Sequence, residues 1–215
     1  MKKYLPVLIS ALILFSCQKE FTITDGTTPT APGGGTSAGC NTYMPLTLGT
    51  TWTYDYAGNT DIVTVVAPDT VINGKTFKRT KSTYSNTTFL REENGNVYEF
   101  APINGEQILL NILRANANVG DKWKDTVSIS GLTEIFEHQM IEKNVSLQVD
   151  NLSFKDVIHM RFKVTLITPF STDEIQTTDT WIGKCVGALQ SKTVSYFGGA
   201  SSDTIVNKLK SYTIK

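Results

Sequence analysis

Histidine is nearly absent from this sequence, cysteine is scarce, and neither charge is in excess: two histidines, three cysteines, and 20 basic against 20 acidic residues in 215. Each scarcity removes a class of function. His138 and His159 sit in no H-E-x-x-H or other zinc spacing, so no metal and no cofactor is expected. There is no G-x-S-x-G, no glycine-rich phosphate loop and no S-x-x-K, which leaves the common nucleophilic and nucleotide chemistries without their residues. With no basic patch, nucleic acid is not an expected partner. The closest carboxylates are Glu92-Glu93 and Asp173-Glu174. Neighbours in a strand point to opposite faces, whereas a glycosidase pair needs its carboxyls about 5 to 9.5 Å apart across a cleft. The expectation is a protein that is not an enzyme. His159 shares a polar strand face with Arg161 and Lys163 and reads as a solvated side chain; His138 reads as flanking either a core or a pocket.

No apolar run reaches the roughly 20 residues that a spanning helix needs. The longest runs from Tyr4 to Phe15, carries Pro6, follows Lys2 and Lys3, and stops at Ser16-Cys17. That is the layout of an export signal over residues 1–16. Leu14-Phe15-Ser16-Cys17 resembles the lipobox of bacterial lipoproteins, which implies acylation of Cys17 and cleavage before it; the other reading is a secreted protein with Cys17 as a leftover thiol. Two or more acyl chains give stable anchoring, so the membrane is a partner through lipid alone. Gln18-Lys19-Glu20 resembles the short polar and acidic tags that send some Bacteroidota lipoproteins to the cell surface. The expected location is the outer membrane, on its periplasmic face or at the cell surface. From Thr22 to Gly39 the chain is Thr, Pro, Gly, Ser and Ala with hardly an apolar side chain, so residues 17–39 read as an acylated cysteine and a flexible tether.

Residues 40–215 fit one domain by length. Threonine, valine and isoleucine recur in runs of five to eight between Gly, Asn, Asp and Pro, a strand-and-turn texture. Trp52, Tyr54 and Tyr56 alternate with Thr51, Thr53 and Asp55. Ile158, Met160, Phe162, Val164 and Leu166 alternate with His159, Arg161, Lys163 and Thr165, so one face is core and the other wet. Asn73-Gly74, Asn94-Gly95 and Asn104-Gly105 are two-residue hairpin signals. Leu132 to Glu142 also satisfies helix spacing and is taken as strand. The expected fold is all-β and mainly antiparallel: a strongly curved meander, half-barrel or barrel-like, with little helix. Gly49-Thr50-Thr51-Trp52 and Gly120-Asp121-Lys122-Trp123 share a G-x-x-W spacing, but two matched residues do not establish a duplication, and the spacing is read as coincidence.

Four further segments occur in order: Tyr43-Met44-Pro45-Leu46 with Gly49 and Trp52; Val119 to Trp123; Val149 to Phe154; and Thr180 to Gly187. Together they resemble the TapB-like or DUF3108-like lipoprotein domains of Bacteroidota, whose pattern runs P-L-x-x-G-x-x-W, V-G-x-x-W, V-P-A-G-x-F and W-x-A-x-G-V-G. The resemblance implies a curved antiparallel sheet akin to the half-barrels of lipoprotein carriers, with no established catalytic site. Asp150-Asn151-Leu152 stands where the pattern has P-A-G, and Cys185 where it has a glycine.

With Cys17 acylated, Cys40 and Cys185 remain in an oxidising compartment, where two thiols usually pair; otherwise they are buried free cysteines. Two functions lead, and an enzyme remains a third reading that a cluster of acids with a histidine in one cleft would revive. A cell-envelope lipoprotein binds an apolar or amphiphilic ligand, such as a lipid, in its curved sheet, with Trp52, Tyr54, Tyr56 and Trp181 as candidate ligand contacts. Alternatively, a tethered module without an internal pocket holds an envelope protein or a glycan.

Overall fold

The computed structural model describes residues 40–85, 87–103, 106–129 and 132–215. The expected signal peptide, Cys17, the expected tether and Asn104-Gly105 lie outside the described residues. Twelve strands follow one another: β1 (Thr51–Tyr56), β2 (Asn59–Ile72), β3 (Lys75–Ser82), β4 (Thr88–Glu93), β5 (Asn96–Ile103), β6 (Glu106–Arg114), β7 (Lys122–Ile129), β8 (Leu132–Val149), β9 (Leu152–Ile167), β10 (Thr172–Gly183), β11 (Gly187–Phe197) and β12 (Ala200–Thr213). Among the described residues there is no helix. The segment Leu132–Glu142, with its two possible periodicities, lies wholly within β8.

Local chemistry explains the meander. Asn73-Gly74 and Asn94-Gly95 both adopt the paired left-handed conformation of a tight hairpin turn, with φ of 51° and 72°, and 54° and 75°. The β1–β2 turn uses the same conformation at Ala57-Gly58, φ 49° and 86°, where the alanine hid it from a reading of the sequence. The β8–β9 turn holds Asp150 at φ 52°, so the departure from P-A-G is accommodated by an aspartate that tolerates the left-handed region.

All neighbours are antiparallel, in the order β6-β5-β4-β3-β2-β1-β12-β11-β10-β9-β8-β7. Because β1 pairs with β12, the chain runs around a ring, and the sheet is a nearly closed barrel whose two edges, β6 and β7, lie side by side. Side chains stand in for a ladder there. The Asn111 N–H donates to Asp125 Oδ2 at 3.1 Å, and the Trp123 indole N–H donates to the Asn111 carbonyl at 2.6 Å. Exposed sheet edges invite pairing with other chains, and this seam occupies both backbone groups of Asn111.

The two G-x-x-W segments prove structurally equivalent, which corrects their reading as coincidence. Gly49 (φ 83°) donates to the Val65 carbonyl at 3.0 Å, and Val65 returns a bond to Thr50 at 2.9 Å. Gly120 (φ 93°) donates to the Met140 carbonyl at 2.8 Å, and Met140 returns a bond to Asp121 at 3.0 Å. Thr50 bonds back to Thr47, and Asp121 to Asn118, both at 3.0 Å. Each tryptophan is buried and donates its indole N–H to a backbone carbonyl, Trp52 to Val186 and Trp123 to Asn111. Strands β1–β6 and β7–β12 therefore begin alike, as two six-stranded halves.

The core is concentrated toward the end that carries the β2–β3, β4–β5, β6–β7, β8–β9 and β10–β11 turns. One cluster joins Trp52, Val65, Leu189 and Leu209 to Val149, Leu152, Phe154 and Val157 of the β8–β9 hairpin. A second joins Val97 and Leu113 to Trp123, Met140, Ile158, Met160 and Ile182. The segment before β1 crosses this end: Tyr43 and Met44 pack on the second cluster and Leu46 on the first. It is pinned by the Cys185 N–H to Thr42 carbonyl bond at 2.7 Å, by the Thr42 hydroxyl on the Glu92 carboxylate, and by the Cys40–Cys185 disulfide, whose Cα atoms are 5.7 Å apart.

Two outcomes follow. The disulfide closes a loop of 145 residues, for which the chain-entropy relation gives an upper figure of about 5 kcal/mol; Cys185→Ser should lower the urea-unfolding free energy by about 2 to 5 kcal/mol. Asp125→Ala removes the seam acceptor and should cost about 1 to 3 kcal/mol, with hydrogen exchange accelerated at the Asn111 amide; unchanged protection there would show that the seam does not depend on Asp125.

Candidate functional site

The face of β8 that carries Phe136, His138 and Met140 also carries the buried core, so it is the inner face; the opposite face holds the exposed Lys122–Glu137 ion pair. Cross-strand partners share a face, and this surface can be followed around the barrel. Met160, Phe162 and Val164 of β9 stand opposite Thr180, Thr178 and Gln176 of β10. Those stand opposite Ser191, Thr193 and Ser195 of β11, and Ser191 leads on to Asn207 of β12 and Tyr56 of β1. The inner wall thus changes character. It is apolar on β6, β8 and β9, where Ile108, Leu110, Phe136 and Val164 cluster, and hydroxyl- and amide-bearing on β10 to β12.

The polar wall is only half-buried at Gln176, Thr178, Thr180, Ser191, Thr193 and Asn207. Threonines alternating on both faces of β10 bury little apolar area, so this part of the interior is not sealed as a core. Its groups bond partly to each other: the Thr178 and Thr193 hydroxyls are 3.0 Å apart, and Gln176 Nε2 donates to Thr178 Oγ1 at 3.2 Å. Asn207 Oδ1 is buried without a partner among the described residues. Inward carboxyls add to the lining, among them Glu99 and Glu134. Glu99, between Leu90 and Leu110, and Glu134, opposite Leu166, are both pushed above the usual carboxylate range by burial.

His138 lies on the apolar wall, inside a stack. Its ring lies 5.5 Å from Trp123 and 4.8 Å from Phe162; Phe162 lies 6.1 Å from Phe136, and the Arg114 guanidinium caps Trp123 at 5.3 Å. Neither ring nitrogen has a hydrogen-bond partner among the described residues. Burial, assisted by the Arg114 charge, lowers its pKa to about 4.

The other histidine departs from its sequence reading. His159 is buried, not solvated: its ring stacks on Trp181 at 4.4 Å, with Nδ1 3.0 Å from Glu142 and Nε2 3.0 Å from Asp179. Arg161 holds the same Asp179 through two bonds of 3.0 and 3.2 Å. Burial pushes the Asp179 carboxyl up, but bonds from Arg161 and His159 and their charge outweigh it and hold the pKa below the ordinary value. The site lies on the outer face, holds no nucleophile, and spans β8, β9 and β10. Glu142 and Asp179 were not singled out from sequence, although Asp179 stands directly opposite Arg161 in the ladder.

The candidate ligand contacts are placed as follows. Trp52 is a buried member of the first core cluster, with Tyr54 and Trp181 packed against it. The Tyr54 hydroxyl donates to the Ala188 carbonyl at 3.0 Å, and burial, with Asp61, raises its pKa. Tyr56 is half-buried on the polar inner wall beside Asn207. Cys40 and Cys185 are bonded to each other. Cys17 lies outside the described residues. Among the described residues no group of three or more His, Cys, Asp or Glu side chains is arranged to hold a metal ion.

At the end opposite the core, Phe170 in the β9–β10 turn and Phe197 at the β11–β12 turn project almost free, 96% and 74% exposed. Tyr84, between β3 and β4, is also exposed there. These aromatics stand at the end of the barrel away from the core clusters.

No protein-family model matches the sequence, and comparison with curated proteins gives no match. Among solved structures, the chain is similar to a Bacteroides fragilis protein described as exported and of YmcC-like fold, at 12% identity over 81% of this chain and 100% of the other, with a TM-score of 0.48.

A pH dependence follows from His138. Its folded pKa lies below the unfolded one, so folding disfavours the protonated ring. The stability this leaves is whole above the unfolded value of 6.5 and is lost as the pH falls towards about 4, a change of at most about 3 kcal/mol. Urea midpoints for His138→Phe should therefore fall less between pH 7 and pH 4.5 than those of the wild type; parallel curves would mean that His138 does not titrate with folding.

Proposed function

We propose that this chain is a non-enzymatic lipoprotein of the outer membrane, acylated at Cys17, whose barrel binds an amphiphilic ligand. The observation that carries the reading is the divided inner wall. Its apolar part, from Leu110 through Phe136, Phe162 and Val164, suits an acyl chain or comparable apolar body. Its polar part, Thr178, Thr180, Ser191, Thr193 and Asn207, offers hydroxyls and an unpartnered carbonyl to a head group. A sealed core would leave neither half-buried hydroxyls nor an orphan acceptor, since buried polar groups are almost always paired.

The ligand contacts in this reading differ from those expected of the aromatic stripe. Trp52 and Tyr54 have their polar atoms engaged by backbone at the closed end, so they support the floor of the site. Tyr56 remains a wall residue. The resemblance to TapB-like or DUF3108-like domains belongs to the same reading: its segments converge on the floor, around Trp52, Trp123, the β8–β9 turn and the β10–β11 turn. A second reading, a module holding an envelope protein, draws on the exposed Phe170 and Phe197.

Native mass spectrometry of the full chain, extracted in mild detergent, should reveal a co-purifying amphiphile. A fluorescent fatty acid such as dansyl-undecanoate should bind with a Kd near micromolar, weakened at least about tenfold by Ser191→Phe, which fills the polar wall, and little changed by Phe170→Ser. A folded protein with no adduct and no affinity for the probe would overturn the lumen reading. Loss of an envelope partner on Phe170→Ser would replace it with the second.

A further inference from the structure

At the closed end, outside the barrel, the β4–β5 turn, the residues after β6, a kink in β8 and the β10–β11 turn surround an open depression of about 360 Å³. Its volume falls within the range of small-molecule sites. The lining is chemically uniform. Asn41, Asn94, Asn116 and Asn144 contribute four amides, and Lys143 and Lys184 two ammonium groups, with Tyr43 at one side.

Most of these groups are unspent. The side chains of Asn41, Asn94, Asn144 and Lys184 have no hydrogen-bond or ionic partner among the described residues. Asn116 Nδ2 reaches the Asn94 carbonyl at 3.4 Å, which leaves its oxygen as an acceptor. Lys143 Nζ donates to the carbonyls of Ala115 and Ala117, both at 2.9 Å, so the ammonium is fixed in place with one donor remaining. Asn144 stands at φ 56°, at the point where the register of β8 against β9 shifts, and this presents its amide outward. Burial, and after it the charge of Asp156, raises the Tyr43 pKa. The lining itself holds two lysines and no carboxylate.

An amide donates and accepts at once, which matches a sugar hydroxyl, and a fixed ammonium matches a carboxylate. We infer that this depression is a second binding site, separate from the barrel interior, that takes an acidic saccharide. Lys184 and Lys143 hold the acid group, the asparagines bond the ring hydroxyls, and Tyr43 offers an aromatic edge. Neither an apolar ligand nor a neutral sugar uses both kinds of group. The inference does not rest on the lumen reading, because no residue of the depression lies on the polar inner wall.

The test is calorimetric titration of the full chain in detergent with digalacturonate, with neutral digalactose and inorganic phosphate as controls at matched ionic strength. Digalacturonate should bind at least about tenfold more tightly than either control, and Lys184→Met and Asn41→Ala should each weaken it about fivefold or more without shifting thermal unfolding. Equal affinity for phosphate would reduce the site to an anion patch and overturn the saccharide assignment. Absence of digalacturonate binding to the folded protein, or binding indifferent to both substitutions, would overturn the site itself. Dansyl-undecanoate binding should be unchanged in both variants, so that failure here and failure of the lumen reading register separately.

Discussion

A sheet of twelve strands has two edges and two faces to satisfy, and in this chain closure into a ring settles three of the four. The β1–β12 ladder brings the two ends of the described domain together, β6 and β7 come alongside each other, and one face turns inward. The seam is the point at which this closure is most dependent on individual side chains. Asp125 and Trp123 take the backbone N–H and carbonyl of Asn111, groups that would otherwise face an open edge. Trp123 also belongs to the second core cluster, so seam and core share a residue.

Closure at one end follows from packing that the two halves repeat. Each half starts with a glycine in a left-handed conformation followed three residues later by a buried tryptophan bonded to backbone. At Gly187 any side chain would meet the Trp52 ring, a Cβ there lying 3.1 Å from Nε1, so the indole and the β10–β11 turn fit only with glycine between them. The disulfide and the segment before β1 then seal the same end. The most recognisable residues of the chain therefore hold its architecture and lie away from the half-polar interior proposed to receive a ligand.

The outer face of β8 to β10 shows how polar residues can hold a barrel together. His159, Glu142, Asp179 and Arg161 tie three neighbouring strands through hydrogen bonds that a ladder alone does not supply, with Trp181 shielding the ring. Exposed ion pairs contribute little, but Asp179 and the His159 ring are largely buried and share a network, where bonds reinforce one another.

Period-two alternation, Asn-Gly turns and threonine-rich runs specify strands locally, and local rules hold wherever strand neighbours are sequential; for that reason the all-β meander and the inward set from Ile158 to Val164 were legible in the sequence itself. What pairs over long separations was not legible. Nothing local distinguishes a histidine in solvent from His159 between Glu142 and Asp179, or an aromatic stripe in a pocket from Trp52 in the floor, because both depend on register and on which strands close the ring. Two shared residues could not reveal the repeated halves, whose likeness lies in backbone hydrogen bonds. Sequence by itself determined the elements, their faces and their order; only the tertiary structure decided which face closed inward, where it stayed polar, and which side chains met across it, because contacts between distant strands are set by ring closure and not by neighbours in the chain.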